Sequence, residues 1–503
     1  MLAVLALLYV AWAALFIAAS AVDTNEGRYF CLFDDAMVSL RYAWNLAHGQ
    51  GLVWNPGERV EGTTCFLFTL YMSLGALFLD KSAAALFVQV SGIPIVLGVA
   101  LIACRLTRAL ATTAQLGWVT AAAVLVYYPL SYWSLMGMET GLATALALAA
   151  LWEALRLGPD SRGSKRLGVL LGLMFATRPD AALLAATILA FRAAWIIQAH
   201  RRLGALRPWL AELAPFVAIV AGLTLFRLVY YGSPLPNTYY LKMGGWPLGP
   251  RLDNGWKFVG PFLDTSRYLL LLALVSVALR RDGRRLLLLG FTAAAIAAQI
   301  WVGGDAWSHW RMLVPGAVTA IVLAIDGADA VLRVLLRSER VWLSLAFALT
   351  CTGGALWTAN QPFLRELSLQ IPPYKVYLNR RSVNVGLELA RYASPQASVA
   401  VMAAGTVPYY SGLRGIDVLG KSDPLVARLA PRGVGKTITP GHNKYDLHYS
   451  IETLRPDVIY DGLAWARHEP GVLAFVQSHY VAAGRFWFRR DSPHVHWSQL
   501  PAR

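Results

Sequence analysis

Long apolar stretches recur along the first 359 residues and constrain the fold more than any other feature. A helix needs roughly 20 apolar residues to cross a bilayer. Hydrophobic residues make up 57% of the 503-residue chain and charged residues 15%, which predicts a polytopic membrane protein. We interpret 1–22, which has no charged leader, as a retained span. The candidate spans are 2–22, 84–104, 115–132, 140–156, 167–198, 210–231, 263–279, 286–302, 312–332 and 341–359.

Basic residues predict the orientation of these spans. The net charge is +16, from 45 Lys and Arg against 29 Asp and Glu, and the basic residues concentrate between candidate spans. Cytoplasmic loops of membrane proteins are enriched in Lys and Arg. We therefore expect these clusters to be cytoplasmic. Because the positive charge is explained by topology, we expect no nucleic-acid partner. The clusters are Arg105 and Arg108; Arg156, Arg162, Lys165 and Arg166; Arg192, Arg201, Arg202 and Arg207; Arg280, Arg281, Arg284 and Arg285; and Arg333, Arg337 and Arg340.

Two stretches must then differ from ordinary spans. A span at 63–78 would place the next basic cluster outside, so we predict a juxtamembrane or re-entrant helix there. The region 167–198 is too long for one span and contains Arg178-Pro179-Asp180. Because proline disfavours helix in the residue before it, we predict a hairpin with this tripeptide at its tip. The total is then about 11 spans.

The polar, aromatic and Gly/Pro-rich loops fall on the opposite face, at 23–83, 132–139, 230–262 and 302–311. Residues 1–359 are thus predicted to form an α-helical transmembrane domain. Residues 360–503 differ in composition: runs such as 397–405 predict short strands, and 382–393 predicts an amphipathic helix. We predict an α/β domain outside the membrane there, with a role in binding carbohydrate or acceptor.

Adjacent carboxylates, Asp34 and Asp35, follow the first span in the segment CLFDDAMVSL. Acidic residues at a helix start are favoured as caps and by the macrodipole. A carboxylate at a membrane boundary is also a candidate functional residue. Spacing alone does not choose between these interpretations. Apolar residues precede the pair, and Arg41 is positioned to neutralise one carboxylate, so we expect a functional site.

The following loop, GLVWNPGERVEG, contains an aromatic residue, an amide and two carboxylates. This combination suits a carbohydrate, because sugar CH faces stack on aromatic rings and sugar hydroxyls need hydrogen-bond acceptors. The residues predicted to bind sugar are Trp54, Asn55, Glu58 and Glu61.

The segment 34–64, DDAMVSLRYAWNLAHGQGLVWNPGERVEGTT, resembles the first-loop signature of GT-C glycosyltransferases. Within that fold it is most similar to the mycobacterial terminal β-(1→2) arabinofuranosyltransferases and their Gram-negative relatives. Cys65 departs from the residues expected after this block. Further blocks that resemble the family are GMET (137–140), TRPD (177–180), YYGSPLPNTYYLK (230–242), GGDAWSHWR (303–311), GTVPYYSGLRGIDVLGKSD (405–423) and PGHNKYD (440–446).

The resemblance implies a polyprenyl-phosphate sugar donor, with arabinofuranose as the expected sugar, used on the periplasmic face of a bacterial inner membrane. An aspartate would act as base or as nucleophile, and we favour Asp35 because Arg41 is expected to hold Asp34. Cations would hold the leaving phosphate; each could instead be an interfacial or surface residue. The donor-site candidates are Arg41, Lys242, Arg178, His309 and Arg311, with Asp305, Glu139 and Asp180 orienting them or holding sugar hydroxyls.

The acceptor is expected to be a cell-envelope glycan, lipopolysaccharide or pilin-like protein, with Tyr239 and His442 added to its binding residues. A divalent cation at the aspartates stays open, although no octahedral set of oxygen ligands is visible. Cys31 and Cys65 both lie in the first outer segment, where the compartment is oxidising. We predict a disulfide between them that fixes the aspartate loop; two buried thiols are the alternative.

Two other functions are compatible with a multispan chain. A lipid or sugar transporter or flippase usually carries charges inside its spans and shows internal repeats, whereas here the acids concentrate in outer loops. A non-catalytic glycan-binding protein of the same fold would tolerate the loss of both aspartates.

Overall fold

The structure is a computed structural model that describes residues 2–161, 163–336, 340–433, 438–460, 463–466 and 469–501. Arg162 and Arg337 of the basic clusters lie outside these residues. The chain divides into two compact units. The helical unit comprises Met1–Ala19, Gln89–Leu225 and Arg251–Ile371, and the mixed unit comprises Ser20–Val88, Phe226–Pro250 and Pro372–Arg503. The mixed unit thus includes two segments from before residue 360, where the sequence predicted the domain boundary.

Apolar helices dominate the chain up to residue 360. The longer helices are Leu2–Ser20, Lys81–Leu110, Thr140–Arg156, Lys165–Thr177, Ala182–His200, Arg207–Tyr231, Leu248–Leu279, Gly283–Val302, Val314–Leu336 and Val341–Asn360, with shorter ones at Leu116–Val126, Tyr128–Leu135 and Leu364–Leu367. Among the described residues, seven helical segments are long and apolar enough to cross a membrane. This establishes a multi-pass membrane protein but does not fix the predicted count of about 11 spans.

The predicted break at Arg178 is confirmed. The helix Lys165–Thr177 ends there, and Arg178 has an extended backbone at φ −154° and ψ 119°. A 3₁₀ turn at Pro179–Ala181 leads into Ala182–His200, which packs against the preceding helix. Pro179 explains the break, since its ring disfavours the α conformation at the residue before it.

The predicted loop 230–262 is instead largely helical. A short helix occupies Asn237–Met243, and the helix predicted to start at 263 begins at Leu248. Pro261 lies inside that helix. The prediction failed here because hydrophobic length marks only the apolar part of a helix, and the turns before residue 263 carry Arg251, Asp253 and Lys257. The stretch 63–78 forms the 13-residue helix Phe66–Phe78, which is shorter than a full span.

A buried ionic network fixes the helix Val314–Leu336 inside the helical unit. Its Asp326 and Asp329 side chains are fully buried. Arg280 contacts both carboxylates at 2.6 Å, and Arg285 contacts Asp326 at 2.7 Å. Buried charges are tolerated when they are paired in this way. The arginines predicted to set the topology therefore also hold three helices together.

The mixed unit contains the predicted α/β region. Strands β1 (Val22–Thr24) and β2 (Gly27–Tyr29) form a hairpin. The larger sheet is formed by β3 (Ser398–Val401), β4 (Arg414–Asp417), β5 (Val458–Ile459), β6 (Tyr480–Ala483) and β7 (Phe486–Arg489), in the order β4-β3-β5-β7-β6. Strand β3 is parallel to β4 and β5, while β7 is antiparallel to β5 and β6. All four residues of β3 are buried, as expected for a central parallel strand.

The mixed unit also contains helices, several of which pack against one another. They are Asp34–Ala47, Phe66–Phe78, Asn237–Met243, Val376–Tyr392, Thr406–Ser411, Pro424–Arg428, Leu463–Ala466 and Pro470–His479, with a π-helical turn at His448–Thr453. Val38, Tyr42 and Trp54 from the first loop share one apolar core with β3 residues and with Phe486 and Phe488. The first loop is therefore built into the α/β fold, which explains why the mixed unit extends beyond residues 360–503.

Candidate active site

Asp34 and Asp35 occupy the first two positions of the helix Asp34–Ala47. Two negative charges are favourable there, because backbone N–H groups leave the helix start positive. Phe33 is the N-cap residue, and its side chain makes no capping hydrogen bond. The aspartates are therefore at the helix start, as predicted, but their carboxylates are held by other segments of the mixed unit.

The Asp34 carboxylate is held by the segment that follows β3. It accepts hydrogen bonds from the backbone N–H of Gly405 at 3.2 Å and of Thr406 at 2.9 Å, and from the Thr406 hydroxyl at 3.1 Å. A side chain on Gly405 would collide with the Asp34 backbone, because an added Cβ would lie 2.1 Å from its carbonyl oxygen. Glycine is thus required for this close approach.

The Asp35 carboxylate forms an ion pair with the Lys421 ammonium group. Both side chains keep some contact with solvent, at 17% exposure for Asp35 and 23% for Lys421. Asp35 is therefore both restrained by a cation and accessible. These are the properties expected of a carboxylate that must reach a substrate.

Burial and neighbouring charges shift the acid–base equilibria around this pair. Burial raises the pKa of Asp34, although the Thr406 N–H and Lys421 oppose that effect. For Lys421, burial opposes the charged form, but the carboxylates of Asp35, Asp34 and Asp417 outweigh it, and its pKa is raised. Burial and the positive charge of Lys421 together lower the pKa of His442.

Arg41 does not hold Asp34, contrary to the sequence prediction. Its guanidinium is buried and donates to the backbone oxygens of Trp54 at 2.6 Å, Leu413 at 2.8 Å and Pro408, and to the Asn55 side chain at 3.0 Å. These acceptors satisfy the guanidinium fork within the fold. Arg41 accordingly joins the first loop to the segment 408–413.

The predicted sugar-binding residues of the first loop are mostly structural. Trp54 is 2% exposed and donates to the backbone oxygen of Ala404 at 3.1 Å, so its ring cannot serve as a sugar platform. Asn55 is also buried and donates to the Gly415 carbonyl at 2.8 Å. Glu61 forms a buried pair with Arg227 at 2.9 Å. These residues were predicted to bind sugar, but the C-terminal part of the chain and the helix at Arg227 cover them.

Glu58 and Tyr239 remain near the surface. Glu58 pairs with Arg414 at 2.6 Å, and both side chains are partly exposed. Tyr239 is 45% exposed on the short helix Asn237–Met243. His442 is within electrostatic range of Asp35, Lys421 and Lys242. The structure thus places His442, which was predicted from the sequence, in the surroundings of the Asp35 carboxylate, and Lys242 in the surroundings of His442.

Cys31 and Cys65 are buried thiols that are not joined to each other. The Cys31 sulfur lies 3.6 Å from the Thr406 hydroxyl, and the Cys65 sulfur lies 3.2 Å from the Ser39 hydroxyl. The predicted disulfide is therefore absent. The aspartate loop is fixed by the hydrogen bonds and the ion pair described above.

The helical unit contains a second polar cluster. Arg178 contacts Glu139 and pairs with Asp180 at 3.0 Å. Arg311 pairs with Asp305 through two contacts of 2.6 and 3.1 Å. All five residues were predicted from the sequence as donor-site candidates, and the structure arranges them as arginine–carboxylate pairs in which the carboxylates orient the guanidinium groups.

Both arginines line one small cleft in the helical unit. Asp180 and Gln299 add polar groups to its wall, and the remaining lining is largely apolar. The apolar lining residues are Ala143, Ala147, Met174, Ala181, Leu184, Ala295, Ala298, Met312 and Pro315. Two guanidinium groups beside apolar helix faces could accommodate an anion that carries a hydrocarbon chain.

The segment 303–311 has an unusual backbone. Gly303 and Gly304 have φ values of 87° and 78°, and the non-glycine residues His309 and Trp310 also have positive φ, at 70° and 44°. Such conformations are costly for non-glycine residues and concentrate at functional sites. His309 is 3% exposed, with its ring between Tyr132 and Phe363. It is thus not a surface histidine but a buried part of the turn that precedes Arg311.

Among the described residues, no group of three or more His, Cys, Asp or Glu side chains is arranged to hold a metal ion.

Sequence reasoning missed Lys421 and Thr406, the partners of the aspartates. The block 405–423 that contains them had been noted for its resemblance to the family, but no local signal assigns its residues to the carboxylates. Their sequence separation from the aspartates exceeds 370 residues in each case.

The helices, the α/β region and the loop between them define a multi-pass membrane protein with the GT-C fold. Two solved structures share this fold. ArnT from Cupriavidus metallidurans, in its apo state, is 16% identical with a TM-score of 0.50 over 96% of each chain. The Archaeoglobus fulgidus oligosaccharyltransferase AglB, in complex with an inhibitory peptide and a dolichol-phosphate, is 12% identical with a TM-score of 0.51, over 90% of this chain and 69% of that chain. At these identities, the likeness shows the fold alone.

Sequence comparison adds two findings. The chain is similar to the curated terminal β-(1→2)-arabinofuranosyltransferases of Mycobacterium tuberculosis, at 27% identity over 65% of this chain, and of Corynebacterium glutamicum, at 26% over 62%. The aligned parts cover 58% and 52% of those relatives' own lengths. Residues 373–499 match a domain of unknown function, DUF8728.

Thiol labelling tests the arrangement of the first loop. We expect Cys31 and Cys65 to resist a maleimide in the folded protein, because both are buried and burial raises the pKa of Cys31. After denaturation without reductant, both should label completely, as measured by peptide mass spectrometry. The single variants Cys31→Ser and Cys65→Ser assign the peptides. Labelling that appears only after reduction would show that the two thiols are linked.

Proposed function

We propose that this protein is an integral membrane glycosyltransferase. It moves a sugar, arabinofuranose, from a polyprenyl-phosphate donor to a hydroxyl group of a cell-envelope glycan, lipopolysaccharide or pilin-like protein. The reaction takes place on the periplasmic face of a bacterial inner membrane, where the α/β region also lies. The observation that carries this proposal is the Asp35 carboxylate, partly exposed and held by a cation at a helix start, in a chain with the GT-C fold.

The reaction requires removal of one proton. The acceptor oxygen attacks the anomeric carbon, its O–H proton passes to a carboxylate, and the bond between the anomeric carbon and the phosphate oxygen breaks. The electron pair of that bond leaves with the lipid phosphate. A positioned base contributes typically 10²- to 10⁴-fold to the rate. No general acid is needed, because a phosphate is a stable leaving group.

Asp35 is the better placed of the two aspartates for this role. The oxygens of Asp34 accept three hydrogen bonds from Gly405 and Thr406, which commit that carboxylate to holding the fold. Asp35 keeps contact with solvent while Lys421 restrains it. The sequence argument also favoured Asp35, but for a different reason, since Arg41 was expected to hold Asp34. If the sugar configuration is retained, the same carboxylate could act as a nucleophile.

The cleft in the helical unit suits the lipid phosphate. Arg178 and Arg311 bring two guanidinium groups to this cleft, where neighbouring carboxylates orient them, and their positive charge suits a phosphate. The apolar residues around them match a prenyl chain. The relatives named above are arabinofuranosyltransferases, and the AglB structure holds a dolichol-phosphate. Both facts support a donor of this class.

A donor panel tests the proposed function. We expect the purified protein in lipid vesicles to transfer sugar from polyprenyl-phosphate arabinofuranose to an arabinan or pilin acceptor, and to release polyprenyl phosphate. Radiolabelled product is the readout, and nucleotide sugars serve as the comparison donors. Transfer from nucleotide sugars alone would overturn the proposal. Movement of the intact lipid across the vesicle without any transfer would favour a flippase.

Substitution of the two arginines that line the cleft in the helical unit should weaken donor binding. Arg178→Lys and Arg311→Lys keep the charge but lose the paired N–H geometry. We expect each to raise KM for the donor about tenfold, the equivalent of about 1.4 kcal/mol, with a smaller change in kcat. Kinetics at varied donor concentration are the measurement. The matched control Arg267→Lys alters an exposed arginine of the same unit, which pairs with Asp264, and should leave KM unchanged.

A further inference from the structure

Lys421 lies on a turn whose backbone is held by hydrogen bonds to two buried side chains, Asp417 and Asn237. The turn follows β4 and contains Gly420 at φ 78°. The buried Asp417 carboxylate accepts from the backbone N–H groups of Leu419 and Gly420 at 3.1 Å and of Ser422 at 2.7 Å. Three backbone donors on one carboxylate fix the path of the chain on either side of Lys421.

A second side chain fixes the same turn from another segment. The buried Asn237 amide donates to the carbonyl oxygens of Gly420 at 3.0 Å and of Lys421 and Asp423 at 3.1 Å. Asp417 thus binds three N–H groups of the turn, and Asn237 binds three of its C=O groups. Such preorganisation is characteristic of residues that must hold a functional group in place.

We propose that Lys421 is a positioning residue that keeps the Asp35 carboxylate oriented and ionised for proton removal. The domain of unknown function at 373–499 therefore completes the catalytic site, in addition to any role in binding glycans. This inference rests on the proposed glycosyltransferase function. During the reaction, the acceptor proton moves to Asp35 while Lys421 keeps its own protons and remains paired.

Other charged groups lie near the Asp35–Lys421 pair, and a test must separate their effects from that of Lys421. Asp34 and Asp417 act on Lys421, while Lys421, Asp35 and Lys242 act on His442. Removal of the Lys421 ammonium group disfavours the ionised form of the Asp35 carboxylate. The acidic limb of the pH–rate profile should therefore move to higher pH. Burial and Lys421 also lower the pKa of His442, and a His442→Gln background removes its contribution to the profile.

The test compares Lys421→Met, which keeps the side-chain length without charge, with Lys421→Arg, which keeps the charge. For Lys421→Met we expect kcat/KM at pH 6 to fall at least about tenfold and the acidic limb to move up by about one pH unit, with or without His442. Lys421→Arg should recover much of the loss. The matched control Arg432→Met removes a cation that pairs with Glu469 in the same domain, and should change neither quantity.

A double-mutant cycle gives the deciding readout. If Lys421 acts through Asp35, Lys421→Met should reduce the residual rate of Asp35→Asn by less than twofold. Equal losses in both backgrounds, an unmoved acidic limb, or a Lys421→Met variant whose melting temperature collapses would overturn the inference, since each indicates a merely structural lysine. If the wild-type protein transfers no sugar from any donor, the proposed function itself fails, and the inference fails with it.

Discussion

The two carboxylates at the start of the helix Asp34–Ala47 are the interaction on which the mixed unit depends. Asp34 binds the backbone of Gly405 and Thr406, and Asp35 binds the ammonium group of Lys421. Both partners come from segments next to the parallel strands β3 and β4. One helix start is therefore fixed at two points by the C-terminal sheet, and the site exists only when the first loop and the sheet fold together.

This arrangement explains why so many polar residues of the first loop are buried. Arg41 and Asn55 satisfy backbone groups of the segment 408–415, and Glu61 neutralises Arg227. A buried polar group is costly unless it is paired. The pairing of these groups makes the first loop rigid, and rigidity is what a catalytic carboxylate needs from its surroundings.

Sequence reasoning predicted the features that depend on local chemistry. Hydrophobic length predicted the membrane helices, Pro179 predicted the break after Thr177, and the acidic pair predicted the start of the helix Asp34–Ala47. It failed where distant segments decide the outcome. Trp54 and Glu61 look like solvent-facing loop residues until the C-terminal core and Arg227 cover them, and Lys421 has no local feature that relates it to Asp35. The start of the helix Leu248–Leu279 was also missed, because its first turns carry charged residues and hydrophobic length marks only the apolar part of a helix.

The central claim is that Asp35 takes part in the chemical step and not only in substrate binding. The chemical step can be separated from substrate binding by measuring two quantities on the same vesicles. These are the rate of single-turnover transfer from a radiolabelled polyprenyl-phosphate sugar and the affinity for that donor. For Asp35→Asn, the account predicts a donor Kd within about threefold of wild type and a transfer rate at least about 100-fold lower. A wild-type transfer rate, or a loss explained entirely by weaker donor binding, would contradict it.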